Sequence, residues 1–131
     1  MKRILIVFAL VTVTTALAVP LIAHHGRGAT YDDKALVKFK ATITEVAWRN
    51  PHVAIYADAK DESGKVVNWG LESQNVSSLT RIGFFRNSLK VGQEITVICN
   101  PARSGAPIGV IRKIYDVDGK EVLSFGGSID Q

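Results

Sequence analysis

The chain has 131 residues, of which 47% are apolar and 21% charged, and its formal net charge is +4. This length fits one domain of roughly 100–200 residues, and the apolar content excludes an intrinsically disordered chain. The single cysteine, Cys99, excludes an internal disulfide framework and a zinc site built from several cysteines.

The first 23 residues have the pattern of a secretory signal peptide. Lys2 and Arg3 form a short positive start, and an uncharged apolar stretch follows over residues 4–23. This stretch is long enough to just span a bilayer as a permanent anchor. Pro20, three threonines and the lack of a positive cluster directly after it favour cleavage. We expect a periplasmic or secreted protein with no membrane span after cleavage.

Two cleavage sites are open, one after Ala18 and one after Ala23, and the second makes His24 the first mature residue. Removal of residues 1–23 lowers the formal charge from +4 to +2. Such a small charge does not indicate the basic surface that a nucleic-acid-binding protein needs. In an oxidising compartment an exposed thiol tends to pair between chains, so we expect Cys99 to be buried.

The mature chain divides into an irregular polar arm, residues 24–35, and one β-domain, residues 36–131. Apolar and polar residues alternate from residue 36, which predicts a long first strand over 36–48. Glu45 falls on the apolar phase of this alternation. A bulge near Thr44–Glu45 is therefore expected, because it would keep the apolar side chains facing inward.

Turn residues separate the remaining strands. Pro51 ends the first strand because it lacks a backbone N–H, and Asp118–Gly119 is a two-residue hairpin signal. The hairpin signal predicts that the last strand pairs back on the fifth. The predicted strands after the first are 53–59, 66–72, 94–99, 108–115 and 121–125.

One short helix is expected between the third and fourth strands. Asn75 is the predicted N-cap, and Val76, Leu79 and Ile82 share a face at helical spacing. Gly83 ends the helix.

This order predicts an all-β fold, an OB-like five-stranded barrel with one helix between strands 3 and 4 and a C-terminal hairpin extension. The competing fold is a small β-sandwich, which would need neither the helix nor the long bent strand. A barrel also removes open sheet edges.

Catalytic motifs are sparse. The sequence has no G-x-S-x-G elbow, no G-x-G-x-x-G fingerprint and no phosphate-binding P-loop. The sequence thus offers little support for an enzyme.

The three histidines are candidate metal ligands. His24 and His25 are adjacent in the arm, and His52 lies in the first turn. Imidazole is a common ligand of copper and zinc, and after cleavage at Ala23 the α-amine and ring of His24 could bind Cu(II) together. The alternative is a solvated His-His terminus, with His52 capping its own turn.

The loops at the barrel mouth form a second candidate site. In an OB fold the loop after the first strand and the loop before the fifth lie at the ligand-binding surface. Charged and aromatic side chains there suit an anionic or sugar-like ligand; the alternative is ordinary solvated loops with Trp48 filling the core. The candidates are Arg49, Asn50 and His52, then Arg103 with Ser104, and Trp48 and Tyr56 as aromatic surface.

Two side chains of the third strand have open roles. Glu72 is either a metal ligand or a salt-bridge partner of Arg81 or Arg86, with the structural role favoured. Trp69 is expected in the core rather than on a ligand platform.

The motifs resemble an uncharacterised family of exported bacterial proteins, and the resemblance covers nearly all of the mature chain. That family shows an Ala-His-His start, a Val-Glu-Trp-x-Asn-Pro-His block, a Trp-x-x-Glu block and two later leucine-glycine segments. The matching residues are Ala23-His24-His25, Val46, Trp48, Asn50-Pro51-His52, Trp69, Glu72, Leu79, Gly83, Leu89-Lys90-Val91-Gly92 and Val97.

The resemblance implies export, a small β-barrel, no assigned reaction, and one recurrent pattern that contains His24, His25 and His52. The chain departs from the family at Gly26–Arg27, where Ser-Phe is usual, and at Ala41, where Gly is usual. The first departure removes an apolar anchor of the arm.

The sequence therefore predicts an exported, non-enzymatic binding module that uses the Asn50–His52 loop for an unknown small ligand or envelope partner. The alternative is a copper or zinc protein that uses His24, His25 and His52.

Overall fold

The structure is a computed structural model that describes residues 27–126. The predicted signal peptide, both cleavage sites, His24 and His25 lie outside the described residues. Among the described residues, no helix is both long and apolar enough to cross a membrane.

Six strands form one mixed, mostly antiparallel sheet that closes on itself. The strands are β1 (Val37–Ala47), β2 (Ala54–Lys60), β3 (Val66–Glu72), β4 (Glu94–Pro101), β5 (Ile108–Tyr115) and β6 (Glu121–Ser124), and the helices are α1 (Arg27–Thr30) and α2 (Val76–Arg81). The sheet order is β3-β2-β1-β4-β5-β6, and a parallel pairing of β3 with β5 closes the first five strands into a barrel. The predicted OB-like barrel is confirmed, and the two-sheet sandwich is excluded.

The first strand serves two neighbours, as its length predicts. Its first half pairs with β4 and its second half with β2, and Thr42 pairs with both Asp58 and Glu94. The register with β2 shifts between Ile43 and Glu45, which confirms the predicted bulge. The bulge lets the strand bend from one neighbour to the other while its apolar side chains stay inside.

The barrel interior holds one apolar core. On β2 and just before it, Val53, Ile55 and Ala57 are fully buried, and Cys99 on β4 is fully buried as predicted. Gly109 on β5 allows β4 and β5 to approach closely, since a Cβ at this position would lie 2.7 Å from the Cys99 sulfur. Trp69 is partly buried and packs against this core, with its ring 4.6 Å from that of Phe39.

The helix between β3 and β4 begins as predicted but is shorter. The Asn75 side chain accepts a hydrogen bond from the Ser78 N–H at 2.8 Å, and Leu79 is fully buried. Ile82, predicted to share a helix face with Leu79, is 57% exposed. That expectation was wrong because the helix ends at Arg81 and Gly83, at φ +81°, turns the chain away.

The C-terminal hairpin is confirmed, with β6 paired to β5. Its loop differs from the two-residue turn that Asp118–Gly119 suggested. The Asp116 N–H donates to the Lys120 carbonyl and the Gly119 N–H to the Asp116 carbonyl. Gly119 has φ +79°, so the loop has the three-residue form that ends on a left-handed residue.

Candidate functional site

The β1–β2 corner, residues 48–53, is anchored to the segment that joins β3 to α2. The Val53 N–H donates to the Gln74 carbonyl at 2.9 Å. The Asn50 side-chain oxygen accepts from the N–H of Val76, the first residue of α2, at 3.3 Å. Asn50 therefore has a structural role in holding the corner against the helix. The peptide bond between Asn50 and Pro51 is cis.

His52 contacts the last residue of β3. Its Nδ1 lies 2.9 Å from Oε1 of Glu72, because Ala54, two positions after His52, pairs directly with Glu72. A carboxylate only accepts hydrogen bonds, so Nδ1 is the protonated nitrogen. The ring is 45% exposed, and its other nitrogen, Nε2, is the one suited to a ligand.

Tyr31 reaches the same carboxylate from the arm. Its hydroxyl donates to Oε2 of Glu72 at 3.0 Å, so the two Glu72 oxygens contact different side chains. The three residues form what we call the Tyr31–Glu72–His52 group. Of the roles expected for Glu72, a structural contact is the one observed, and its partner is His52 rather than Arg81 or Arg86.

The described part of the arm, residues 27–35, contains more regular structure than the irregular segment that the sequence predicts. It contains one helical turn, α1, and an antiparallel bridge pairs Tyr31 with Ala102 beside the end of β4. The bridge places the Tyr31 backbone next to the β4–β5 loop, while its side chain reaches β3. Tyr31 thus links the two loops that are predicted to form one binding surface.

Arg103 lies in the β4–β5 loop and contacts the arm. Its Nε donates to the Gly28 carbonyl at 3.1 Å, and its two terminal nitrogens lie 3.7 Å from Asp32 and 3.6 Å from Asp33. The guanidinium predicted to bind a ligand is therefore engaged by the protein's own arm. Arg49, in contrast, is an exposed residue of the β1–β2 corner.

The aromatic candidates occupy different surroundings. Trp48 is half-buried with its ring centre 6.2 Å from that of Phe84, which supports its alternative role in filling the core. Tyr56 packs over Gly70, where a Cβ would lie 3.5 Å from its ring. Gly70 lies two positions before Glu72 on β3 and pairs directly with Tyr56. The Tyr56 ring therefore lies on the strand face near the Tyr31–Glu72–His52 group.

Within residues 27–126, no three histidine, cysteine, aspartate or glutamate side chains cluster as a metal site would require. Burial raises the pKa of the Cys99 thiol to about 12. This thiol therefore stays protonated near neutral pH, which makes it a poor nucleophile and a poor metal ligand.

An open groove of about 690 Å³ lies elsewhere on the barrel, between β1, the end of β2 and the start of β4. Phe39, Ile95 and Val66 contribute to its apolar wall. Its charged lining residues are Lys40, Asp58, Lys60 and Glu94. None of the predicted binding residues lines it.

A family model described as a family of unknown function, DUF6152, matches residues 12–112. No curated protein shows a significant match to the chain. The matched range contains Tyr31, Glu72, His52 and Arg103, as well as both arm histidines.

Proposed function

Because the chain belongs to the DUF6152 family of unknown function, we propose its function from its own residues. It is an exported, non-enzymatic binding module whose working surface is the β1–β2 corner with the Tyr31–Glu72–His52 group. Its ligand is a copper or zinc ion, held by His52 together with His24 and His25. Residues 1–23 are the cleaved signal peptide, which places the mature protein in the periplasm or outside the cell.

The observation that supports this proposal best is the 2.9 Å contact between His52 Nδ1 and Glu72. A metal-binding histidine uses one ring nitrogen for the metal. The N–H of its other ring nitrogen almost always donates a hydrogen bond to a carboxylate, a carbonyl or water. Such a contact selects the tautomer, orients the ring and makes Nε2 a more basic metal ligand. Glu72 is then not a ligand itself but the residue that orients one.

The contact of Tyr31 with Glu72 gives the proposal further support. By donating to Oε2 of Glu72, Tyr31 restricts rotation of the carboxylate that holds His52. A ring that is already oriented loses less freedom on binding a metal, so its affinity is higher.

The arm supplies the remaining ligands in this proposal. His25 precedes Tyr31 by six positions, which limits the distance between their Cα atoms to roughly 20 Å for a fully extended chain. Cleavage after Ala23 would add the α-amine of His24, which with the ring of the same residue forms a chelate that favours Cu(II). Cleavage after Ala18 would leave the imidazoles without that amine.

An anionic or sugar-like ligand has less support. Two of the basic side chains proposed for it are Arg49 and Arg103, and the second is engaged with Asp32, Asp33 and the Gly28 carbonyl. Arg49, which is exposed at the surface, supplies a single positive charge.

The test is a metal titration of the processed protein, isolated after export, stripped with a chelator and sequenced from its N-terminus. We expect saturation by Cu(II) or Zn(II) at one ion per chain. His52→Ala should weaken the affinity at least tenfold, which is about 1.4 kcal/mol. Glu72→Gln should weaken it about 10–100-fold, because it removes the carboxylate that orients the ring.

Arg49→Ala is the matched control, since it alters the same corner without removing a ring nitrogen. It should leave the metal affinity unchanged. If His52→Ala has no effect on metal binding while Arg49→Ala abolishes binding of anions or glycans, the ligand is of that class and the metal proposal is wrong. Failure of the wild-type protein to bind metals, anions, glycans or envelope extracts saturably would overturn the binding module itself.

A further inference from the structure

We propose that Arg103 is a positioning residue for His52: it clamps the arm to the β4–β5 loop, so that Tyr31 reaches Glu72 and Glu72 orients the imidazole. The consequence for metal affinity rests on the proposed function, whereas the effect on the ring does not. Arg103 contacts neither Glu72 nor His52 in this chain of contacts and acts only through Tyr31.

The clamp grips the arm on both sides of Tyr31. Before Tyr31, the Arg103 side chain contacts the Gly28 carbonyl and its backbone N–H donates to the Thr30 carbonyl at 3.0 Å. After Tyr31, the guanidinium lies 3.7 Å from Asp32 and 3.6 Å from Asp33. Arg103 thus contacts the arm on either side of the residue that reaches Glu72, through backbone carbonyls before it and through carboxylate side chains after it.

Main-chain contacts continue the same docking. The Asp32 N–H donates to the Pro101 carbonyl at 2.9 Å, and the Asn100 side chain, which is almost fully buried, donates to the Ala35 carbonyl at 2.7 Å. These contacts hold the end of the arm nearer the barrel. Toward the N-terminus, within the described residues, the docking contacts named for Gly28 and Thr30 are both made by Arg103.

The arm docks by polar contacts at the surface. Residues 28–30 are exposed, and exposed ion pairs at 3.6–3.7 Å contribute little individually because water screens them. A segment held by few buried apolar contacts opens locally at low free energy. Loss of the Arg103 side chain, which contacts Gly28, Asp32 and Asp33 at once, should therefore shift the docking equilibrium without unfolding the barrel.

The first arm of the test uses the metal-free protein. In the wild type, NMR of the imidazole nitrogens should show the His52 Nδ1–H tautomer with slow exchange of that proton. Arg103→Ala should increase the exchange rate of this proton and of the Asp32 amide at least threefold. The unfolding midpoint, measured on the same samples, should remain unchanged, since a loss of global stability would also speed exchange in the barrel core.

The second arm of the test follows metal affinity. Arg103→Ala should weaken Cu(II) or Zn(II) binding about tenfold, within the range seen when an orienting contact is lost. Arg103→Lys keeps the charge but not the planar fork, and it should recover part of both effects. Tyr31→Phe should reproduce the change at the imidazole proton while leaving the Asp32 amide protected.

Arg86→Ala is the control, because it removes an exposed arginine from the connection between α2 and β4. It should change none of these readouts. If the wild type binds a metal through His52 but Arg103→Ala alters neither the imidazole signal nor the affinity, the positioning role is wrong and the proposed function stands. If no metal binds but Arg103→Ala still releases the imidazole proton, the proposed function is wrong and the positioning role stands.

Discussion

The β1–β2 corner and the β5–β6 hairpin are both turns with an acid–base side-chain pair beside them, but they are held differently. In the hairpin, Lys113 lies 3.4 Å from Glu121, and Asp116 accepts from two backbone N–H groups of its own turn at 2.9 Å each. In the corner, His52 contacts Glu72, and Glu72 contacts Tyr31 from 41 residues away.

The difference lies in how much of the fold each turn needs. The hairpin is stabilised by neighbours in sequence and would form wherever β5 and β6 pair. The corner requires the β2–β3 pairing, the start of α2 and the docked arm together. Perturbations of the hairpin should therefore remain local, whereas perturbations beneath the corner should reach His52.

The largest effect should come from Leu79→Ala, because Leu79 is fully buried in the helix that begins beside Asn50. We expect the free energy of unfolding to fall by about 2–5 kcal/mol, measured by chemical denaturation, with a shift of the His52 imidazole signals. Ile82→Ala, on the exposed side of the same segment, should change the stability by less than about 0.5 kcal/mol. Equal losses for the two variants would contradict the packing described for this helix.

A smaller effect is expected from Asp116→Ala. It removes the side-chain oxygen that accepts from Asp118 and Lys120 and should cost about 1 kcal/mol. Backbone amide shifts should change only in β5, β6 and their loop. Asp118→Ala, in the same turn, keeps the Asp116 acceptor and should cost less. Movement of the His52 signals in Asp116→Ala would show that the two turns are coupled after all.

The smallest effect should be a pH dependence of the Lys113–Glu121 pair. Burial by itself lowers the pKa of Lys113, but the hydrogen bonds to Glu121 and Tyr115 outweigh it, and the pKa is raised. A raised pKa in the folded state means that the stabilisation is complete below the unfolded pKa, about 10.4, and is lost as the pH rises through the folded value.

The free energy of unfolding of Lys113→Met should therefore differ from that of the wild type by a constant amount between about pH 6 and about pH 9, below the reference pKa of lysine. At higher pH the difference should become smaller. Urea unfolding across the alkaline range measures this difference. Glu121→Gln is the companion variant, which should remove most of the dependence. A difference that grows with pH would mean that burial, rather than the ion pair, controls the titration of Lys113.

Local patterns were sufficient to predict most of the fold. The strands 66–72 and 108–115 follow from alternation and turn residues, and both match the observed β3 and β5. The bulge near Glu45 follows from a phase slip, and the Asn75 cap from its side chain. Each of these features depends on residues within one turn or one strand of each other.

The site was predicted less completely. The sequence predicts that His52 and Asn50 bind a ligand at the corner, together with Arg103 from the β4–β5 loop. In the structure Asn50 contacts α2, and Arg103 contacts the arm rather than an open surface. The pairing of His52 with Glu72 had a readable signal, since an antiparallel hairpin centred near residue 63 brings the start of β2 beside the end of β3. Nothing local distinguished Tyr31.

The sequence by itself determined the order and phase of the strands, the helix cap and the burial of Cys99, because alternation, capping and hydrophobicity act over a few residues. Only the tertiary structure decided that Tyr31, Glu72 and His52 meet and that Arg103 faces the arm. Those contacts join segments far apart in sequence, and their geometry follows from the bend of β1 and the parallel closure of β3 against β5, which no short pattern encodes.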